Sequence, residues 1–223
     1  MKLTRKHLAA ALLGLILISA LSAQQPDAGV IGWYNGEWQS GIPGLANWYL
    51  GPDSFSRVYD EFQVPEGGWT VIGVFSDNGL YRFPEVGGAS WEIRRGMAPG
   101  RGGGVVASGV APATQMPDPS VTASRYPTSE VAMHSRVQVN SLQVRLPAGR
   151  YWLSVAPVGQ GESYLSATRG ANAVGMDRER PGIALVQSAG GPAFVPAEAI
   201  GKRGRPGQFG FCQHFAQGVI VAK

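Results

Sequence analysis

Cysteine and histidine are scarce in this chain, and their scarcity excludes several kinds of site. The 223 residues include one cysteine, Cys212, so no disulfide can form within the chain. The folded chain must therefore be stable through its core alone. Of the three histidines, His134 and His214 lie beyond the N-terminal segment. Two histidines and one cysteine are too few for a structural zinc site, which takes four such ligands.

Charge is also scarce, because charged residues make up only 15% of the chain. The formal net charge of +4 comes mainly from Lys2, Arg5 and Lys6. Without these three, 16 basic and 15 acidic residues remain, and the chain is nearly neutral. A nearly neutral chain lacks the cationic surface typical of nucleic-acid binding. We therefore expect no nucleic-acid partner.

Long apolar runs are absent except at the N-terminus, where residues 8–21 follow the basic cluster. Small residues up to Ala23 come next, which completes the pattern of a secretory signal peptide. The run has 14 residues, whereas a spanning helix needs roughly 18–20. We expect a signal peptide at residues 1–23, cleavage after Ala23 and no membrane span afterwards, with an uncleaved anchor as the alternative. The predicted location is secreted, periplasmic or extracellular.

Glycine and proline are abundant, with 32 and 16 residues respectively, and they punctuate short apolar runs. No sustained helical periodicity occurs beyond the N-terminal run. This composition predicts an all-β, antiparallel, jelly-roll-like sandwich that forms a single domain over residues 24–223. Strands are predicted at residues 57–64, 69–75, 89–94, 105–108, 151–155, 163–167, 183–187, 208–211 and 215–221.

Three connections carry specific predictions. Residues 76–79 read Ser-Asp-Asn-Gly, which predicts a turn because Asn and Gly tolerate positive φ. Residues 112–127 contain four prolines and predict a long loop. Residues 131–146 alternate but slip by one position, which predicts a bulge near Asn140 and Ser141. We also expect residues 142–155 to form a hairpin in the middle of a sheet.

Five segments in order resemble a group of bacterial secreted β-sandwich proteins of unknown function, many with C-terminal envelope-sorting tails. The likeness covers about residues 34–219, implies export and a β-sandwich, and says little about chemistry. Here residues 215–223 show no sorting tail, which implies a member released or held by binding. The segments are Val58-Tyr59-Asp60-Glu61-Phe62, Gly67-Gly68-Trp69-Thr70-Val71, Ser90-Trp91-Glu92-Ile93-Arg94, Ala148-Gly149-Arg150-Tyr151-Trp152-Leu153-Ser154-Val155 and Gly170-Ala171-Asn172-Ala173-Val174-Gly175.

Catalytic motifs are missing, so we expect no enzyme and no catalytic residue. No Gly-x-Ser-x-Gly elbow occurs, and His134 is expected to be a solvated strand residue. Cys212 and His214 share one strand face, but i, i+2 positions are about 6–7 Å apart, too far for a catalytic dyad. The glycine-rich residues 100–104 lack the Gly-Lys-Ser/Thr of a phosphate loop. A hydrolase with a carboxylate pair stays an open, less favoured alternative.

Four acidic residues near the first strands are weak candidates for calcium: Asp53, Asp60, Glu61 and Asp77. Calcium is plausible because β-sandwich modules bind it through carboxylates and loop carbonyls. Asp60 is in register with apolar residues, so it is expected to point inward, and a buried carboxylate needs a partner. Salt bridges or turn caps are the favoured alternative. We expect no cofactor, with a structural calcium left open.

Aromatic residues crowd the N-terminal stretch, at Trp33, Tyr34, Trp38, Trp48 and Tyr49. They lack a clear period and are read as a packed loop region. Exposed aromatic rings hold sugars by stacking, so these five are the candidate ligand-binding residues, with core or loop packing as the favoured alternative. The basic residues 202–205 could attract an acidic polysaccharide, and a solvated loop is the favoured alternative.

Export, missing catalytic motifs and the aromatic stretch together predict a non-catalytic exported β-sandwich. Its expected ligand is a carbohydrate or another envelope or extracellular molecule. Its expected partner is a polysaccharide or a cell-surface component. The alternative is a structural or adhesive surface protein that acts by protein–protein contact.

Overall fold

The computed structural model describes residues 29–38, 44–83, 85–117, 124–125, 131–176, 182–191, 193–201 and 214–223. The predicted signal peptide, the strand predicted at residues 208–211, the basic residues 202–205 and Cys212 lie outside the described residues. In chain order the elements are β1 (Val30–Tyr34), β2 (Leu45–Ala46), β3 (Trp48–Gly51), β4 (Ser54–Val64), β5 (Trp69–Tyr81), β6 (Gly88–Arg95), β7 (Gly104–Pro112), β8 (Thr114–Pro117), β9 (Ser124–Arg125), β10 (Val131–Val139), β11 (Val144–Leu146), β12 (Gly149–Val158), β13 (Glu162–Leu165), β14 (Ala167–Thr168), β15 (Leu185–Ser188), β16 (Val195–Pro196), α1 (Ala197–Gly201), β17 (His214–Phe215) and β18 (Gln217–Val221).

Two large sheets form the described part of the molecule, together with a two-stranded sheet of β14 and β17. The nine-stranded sheet has the order β1-β18-β5-β10-β8, with β11 and β13 also on β5, β2 on β13 and β9 on β10. The seven-stranded sheet has the order β16-β15-β4-β3-β12-β6-β7, with β4 and β12 also pairing directly. Among the described strands every pairing is antiparallel except the contact of β3 with β12. The prediction of an all-β sandwich in one domain is confirmed.

The main core lies between the two sheets. From the nine-stranded sheet Val74 and Val139 are fully buried, and from the seven-stranded sheet Ile93, Leu153 and Val155 are fully buried. Alternate residues of a strand face the same side, so each strand contributes one apolar row to this layer. Fully burying one such side chain stabilises the fold by about 1.5–3 kcal/mol. Within the described residues, no helix is long and apolar enough to cross a membrane.

Most predicted strands coincide with strands of the structure, but the turn predicted at residues 76–79 is wrong. β5 continues through this segment, and Ser76 and Asn78 are fully buried there. Asn78 Nδ2 donates to Ser76 Oγ at 2.8 Å, and Asn47 Nδ2 donates to Asn78 Oδ1 at 3.1 Å. Gly79 pairs with a strand on each side, β10 and β13. Pairing on both edges therefore outweighs the local preference for a turn.

The hairpin predicted at residues 142–155 is also wrong. β11 pairs with β5 in the nine-stranded sheet, whereas β12 pairs with β4 and β6 in the seven-stranded sheet. The connection crosses between the sheets, and Tyr151 donates its hydroxyl to the Pro147 carbonyl at 2.9 Å. The inward faces of the two strands still meet in the core, where Leu146 and Leu153 are buried. β12 lies inside its sheet, as expected.

Three further predictions need correction. The register change near Asn140 and Ser141 exists, but it is a break between β10 and β11 rather than a single bulge. Val139 lies opposite Val74 and Val144 lies opposite Val71. The four residues between Val139 and Val144 therefore lie opposite only two residues of β5.

The loop predicted at residues 112–127 contains β8 and β9. The N-terminal aromatic stretch contains β1, β2 and β3 rather than a loop region, because these short strands pair with distant segments.

A buried glutamine closes the fork where β4 and β12 separate. The two strands pair over part of their length, and β3 lies between them beyond that point. At the fork Gln217 Oε1 accepts from the Val155 N–H at 3.0 Å, and Gln217 Nε2 donates to the Val58 carbonyl at 3.2 Å. Asn47 Nδ2 donates to the Val155 carbonyl at 2.8 Å. Backbone groups that the splayed strands cannot pair are thereby satisfied.

Replacing this glutamine should weaken the fold strongly. Gln217→Ala leaves the Val155 N–H and the Val58 carbonyl unpaired in the interior and opens a cavity, at an expected cost of roughly 2–5 kcal/mol. The control is Gln63→Ala at an exposed position of β4, with an expected cost within about 0.5 kcal/mol. Urea unfolding of both variants measures the difference. Equal decreases in the free energy of unfolding of the two variants would show that the fork does not depend on Gln217.

Candidate functional site

A pocket of about 380 Å³ opens at one side of the sandwich. β15 pairs with β4 only as far as Tyr59, so the following part of β4 borders the pocket. Across from it lie Trp33 of β1 and Asn35, which belong to the nine-stranded sheet side. The volume falls within the range of small-molecule sites, roughly 300–1,000 Å³. The residues that matter below are Trp33, Asn35, Glu61, Arg150, Ile183 and His214.

An ion pair forms the charged part of the lining. Arg150 Nε lies 2.9 Å from Glu61 Oε1. The Arg150 side chain is 59% exposed, whereas that of Glu61 is 16% exposed. An exposed pair of this kind adds little stability, about 0–1 kcal/mol. The guanidinium carries five N–H donors in a planar fork, so Arg150 can also turn donors toward a bound molecule.

One lining residue has a buried nitrogen without a hydrogen bond to the described residues, His214 Nε2. The amide of Asn35, which is 1% exposed, instead faces Asp60 and lowers the pKa of that carboxyl. Burial lowers the pKa of His214, so the imidazole is neutral at pH 7. An unpaired buried polar group costs about 1–3 kcal/mol, so a hydrogen-bonding ligand would offset this cost.

Asp60 lies in the interior next to these residues, and its predicted inward orientation is confirmed. It is fully buried, and its Oδ2 accepts from the Phe215 N–H at 2.9 Å. Burial raises its pKa to about 8, although the Phe215 N–H and the amides of Asn35 and Gln217 act in the opposite direction. Asp60 Oδ1 completes no hydrogen bond with the described residues. The carboxyl is therefore mostly protonated at neutral pH.

The four calcium candidates do not form one cluster. Asp77 pairs with Arg136 through two contacts of 2.7 and 2.9 Å, and Tyr34 donates its hydroxyl to it at 2.7 Å. Asp53 is exposed in the turn between β3 and β4. Within the described ranges, no three His, Cys, Asp or Glu side chains come together as a metal site. Asp77 and Glu61 have arginine partners instead.

The five aromatic candidates do not form an exposed platform. Trp33 and Tyr34 are 1% and 4% exposed, so they belong to the interior, as core packing predicts, and offer no exposed ring to a sugar. Trp33 packs on Phe62 with ring centres 5.2 Å apart and lines the pocket. Trp48 and Tyr49 are half-buried in β3. Strand pairing buries these rings because β1 and β3 are parts of the two sheets.

His134 was expected to be solvated, and this expectation is wrong. It is 7% exposed, and its ring centre lies 4.2 Å from that of Trp38. Trp38 comes from a distant segment that bridges to Thr168. The half-buried indole covers the histidine, and no pattern within β10 could have indicated this contact.

Sequence reasoning missed three pocket residues, Asn35, Arg150 and His214. Asn35 precedes a glycine and reads as a turn residue, and Arg150 is the last residue of the Pro-Ala-Gly-Arg segment that predicts the hairpin turn. In the sequence His214 stands out only as a neighbour of Cys212. No local signal brings these positions together, because three different segments carry them.

The titration of Asp60 predicts a pH-dependent stability. Its folded pKa of about 8 lies above its ordinary value of 3.8, so the folded chain holds a proton that the unfolded chain releases. The free energy of unfolding should therefore fall as pH rises between about pH 4 and pH 8. Asp60→Asn keeps an acceptor for the Phe215 N–H and removes this contribution. Denaturant unfolding across this range tests it, and parallel curves for both proteins would contradict it.

Comparison of the chain with protein-family models, curated proteins and solved structures finds no match. The resemblance to bacterial secreted β-sandwich proteins therefore stays a prediction. We infer function from the side chains of the pocket.

Proposed function

We propose that the chain is an exported β-sandwich protein that binds a small polar ligand of the carbohydrate class in this pocket. Sugars present hydroxyls that donate and accept, together with apolar C–H faces. The pocket offers a neutral imidazole in His214 and the Glu61–Arg150 pair. Trp33, Phe62 and Ile183 are apolar residues of its lining. Small-molecule sites combine such apolar residues with a few polar groups.

The observation that carries this proposal is the unpaired nitrogen His214 Nε2. Native proteins leave few buried polar groups unsatisfied, and each one requires a reason. His214 lines the pocket together with the Glu61–Arg150 pair. A ligand group that pairs with Nε2 would supply the reason.

Binding is favoured over hydrolysis by the carboxyl groups near the pocket. Among the described residues that line it Glu61 is the one acidic residue, whereas the fully buried Asp60 does not line it. A glycosidase needs two carboxyl groups that flank one bond. Glu61 is also paired with Arg150.

Blocking the pocket should abolish binding. The chain starting at Gln24 is screened on a glycan array, and hits are measured by calorimetry. Ile183 lines the pocket and is 49% exposed, and Leu50 lies in β3 and is 52% exposed. Ile183→Trp should weaken binding at least about tenfold, which corresponds to about 1.4 kcal/mol, whereas Leu50→Trp should leave it unchanged.

Two results would overturn the assignment. Equal binding by Ile183→Trp and Leu50→Trp would exclude the pocket as the site. Loss of binding in folded Trp38→Ala or Trp48→Ala, with Ile183→Trp unaffected, would assign binding to the half-buried aromatics. The absence of any glycan ligand would contradict the carbohydrate class.

Export is tested separately from binding. Expression of the full chain in a bacterial host should yield an exported protein whose N-terminal residue is Gln24, because the signal pattern ends at Ala23. Deletion of residues 2–23 should retain the protein in the cytoplasm. N-terminal sequencing of the exported fraction gives the answer, and an intact N-terminus in that fraction would contradict cleavage.

A further inference from the structure

β7 leaves one edge of the seven-stranded sheet open. It is the last strand in the sheet order, and among the described strands β6 is its single partner. An edge strand presents a row of unpaired N–H and C=O groups that can pair with another strand. Proteins normally protect such edges with charged side chains, proline or bulges.

Protection is weak along β7. Its nine residues carry no charged side chain, and its proline, Pro112, is the last residue. One bulge occurs at Val106, which has no partner in β6. Val105, Val106 and Val110 are 50%, 41% and 59% exposed. Residues 107–111 thus form a regular, uncharged and partly apolar edge.

The exposed side chains of this strand are self-complementary. Ala107, Gly109 and Ala111 are half-buried against the sandwich, and exposed residues alternate with them. From the bulged Val106 to Val110 the exposed row reads Val, Ser, Val and is the same in both chain directions. Antiparallel pairing about Ser108 places serine opposite serine and Val110 opposite Val106, which are favourable cross-strand pairs.

We propose that two copies of the chain pair antiparallel through β7 about a two-fold axis at Ser108. The backbone pairing extends the seven-stranded sheet across both copies. Both copies use the same surface, as a two-fold interface requires. The absence of charge in β7 means that this arrangement brings no like charges together. The ligand pocket borders β4, with β12 and β6 between β4 and β7, so pairing leaves it open.

Cysteine cross-linking tests the axis. In a Cys212→Ser background, Ser108→Cys places the two thiols opposite each other across the axis, about 4.5–5.5 Å apart at Cβ, close to disulfide geometry. The matched control is Val110→Cys, which faces position 106 of the other copy, so its two thiols are about 13 Å apart along the strands. Mild oxidation should link the Ser108→Cys chains into dimers and leave the Val110→Cys chains monomeric. Equal cross-linking by both variants would overturn the axis at Ser108.

The oligomeric state provides the second measurement. Analytical ultracentrifugation of the chain starting at Gln24 should show a dimer. Val110→Lys places two charges in the apolar pairing surface and should give a folded monomer, whereas Leu50→Lys in β3 should remain dimeric. Circular dichroism and thermal unfolding establish that both variants fold. A monomeric unsubstituted chain, or a dimer that survives Val110→Lys, would overturn the proposal.

Discussion

The closure of the fork between β4 and β12 by Gln217 is the interaction on which the rest of the sandwich depends. Gln217 belongs to the nine-stranded sheet, yet it bonds the Val155 N–H and the Val58 carbonyl of the seven-stranded sheet. These are buried backbone groups, and a sheet cannot splay inside a core unless something pairs them. The glutamine thus allows β3 to enter between the two strands and ties the sheets together with directional bonds.

The same region determines the character of the pocket. Asp60 lies where the pairing of β4 with β12 ends, and its Oδ2 accepts the Phe215 N–H. Full burial keeps it largely uncharged at neutral pH, and burial also keeps His214 neutral. In the pocket itself the neutral His214 offers hydrogen bonds without charge, while Glu61 and Arg150 balance each other. A site of this kind suits a neutral polar ligand.

Two clusters of paired charges are largely buried, one in each large sheet. In each large sheet an acidic side chain accepts a tyrosine hydroxyl and pairs with an arginine. The arginine also lies over an aromatic ring, which adds a cation–π contact. Because the acids are paired in this way, their burial does not leave uncompensated charge. The two clusters are Tyr34, Asp77 and Arg136, and Tyr59, Glu92 and Arg94.

The sequence by itself determined the fold class, most strand positions and the inward orientation of Asp60, because period-two patterns and glycine or proline punctuation are local properties. It predicted a turn at residues 76–79 and a hairpin at residues 142–155, since both rest on local preference. Only the tertiary structure decided that β5 continues through residues 76–79 and that β11 and β12 belong to different sheets. It alone brought Asn35, Arg150 and His214 to one pocket. Each strand pairs with segments that are distant in the sequence. The interactions that stabilise these pairings therefore cannot be read from a short stretch of sequence.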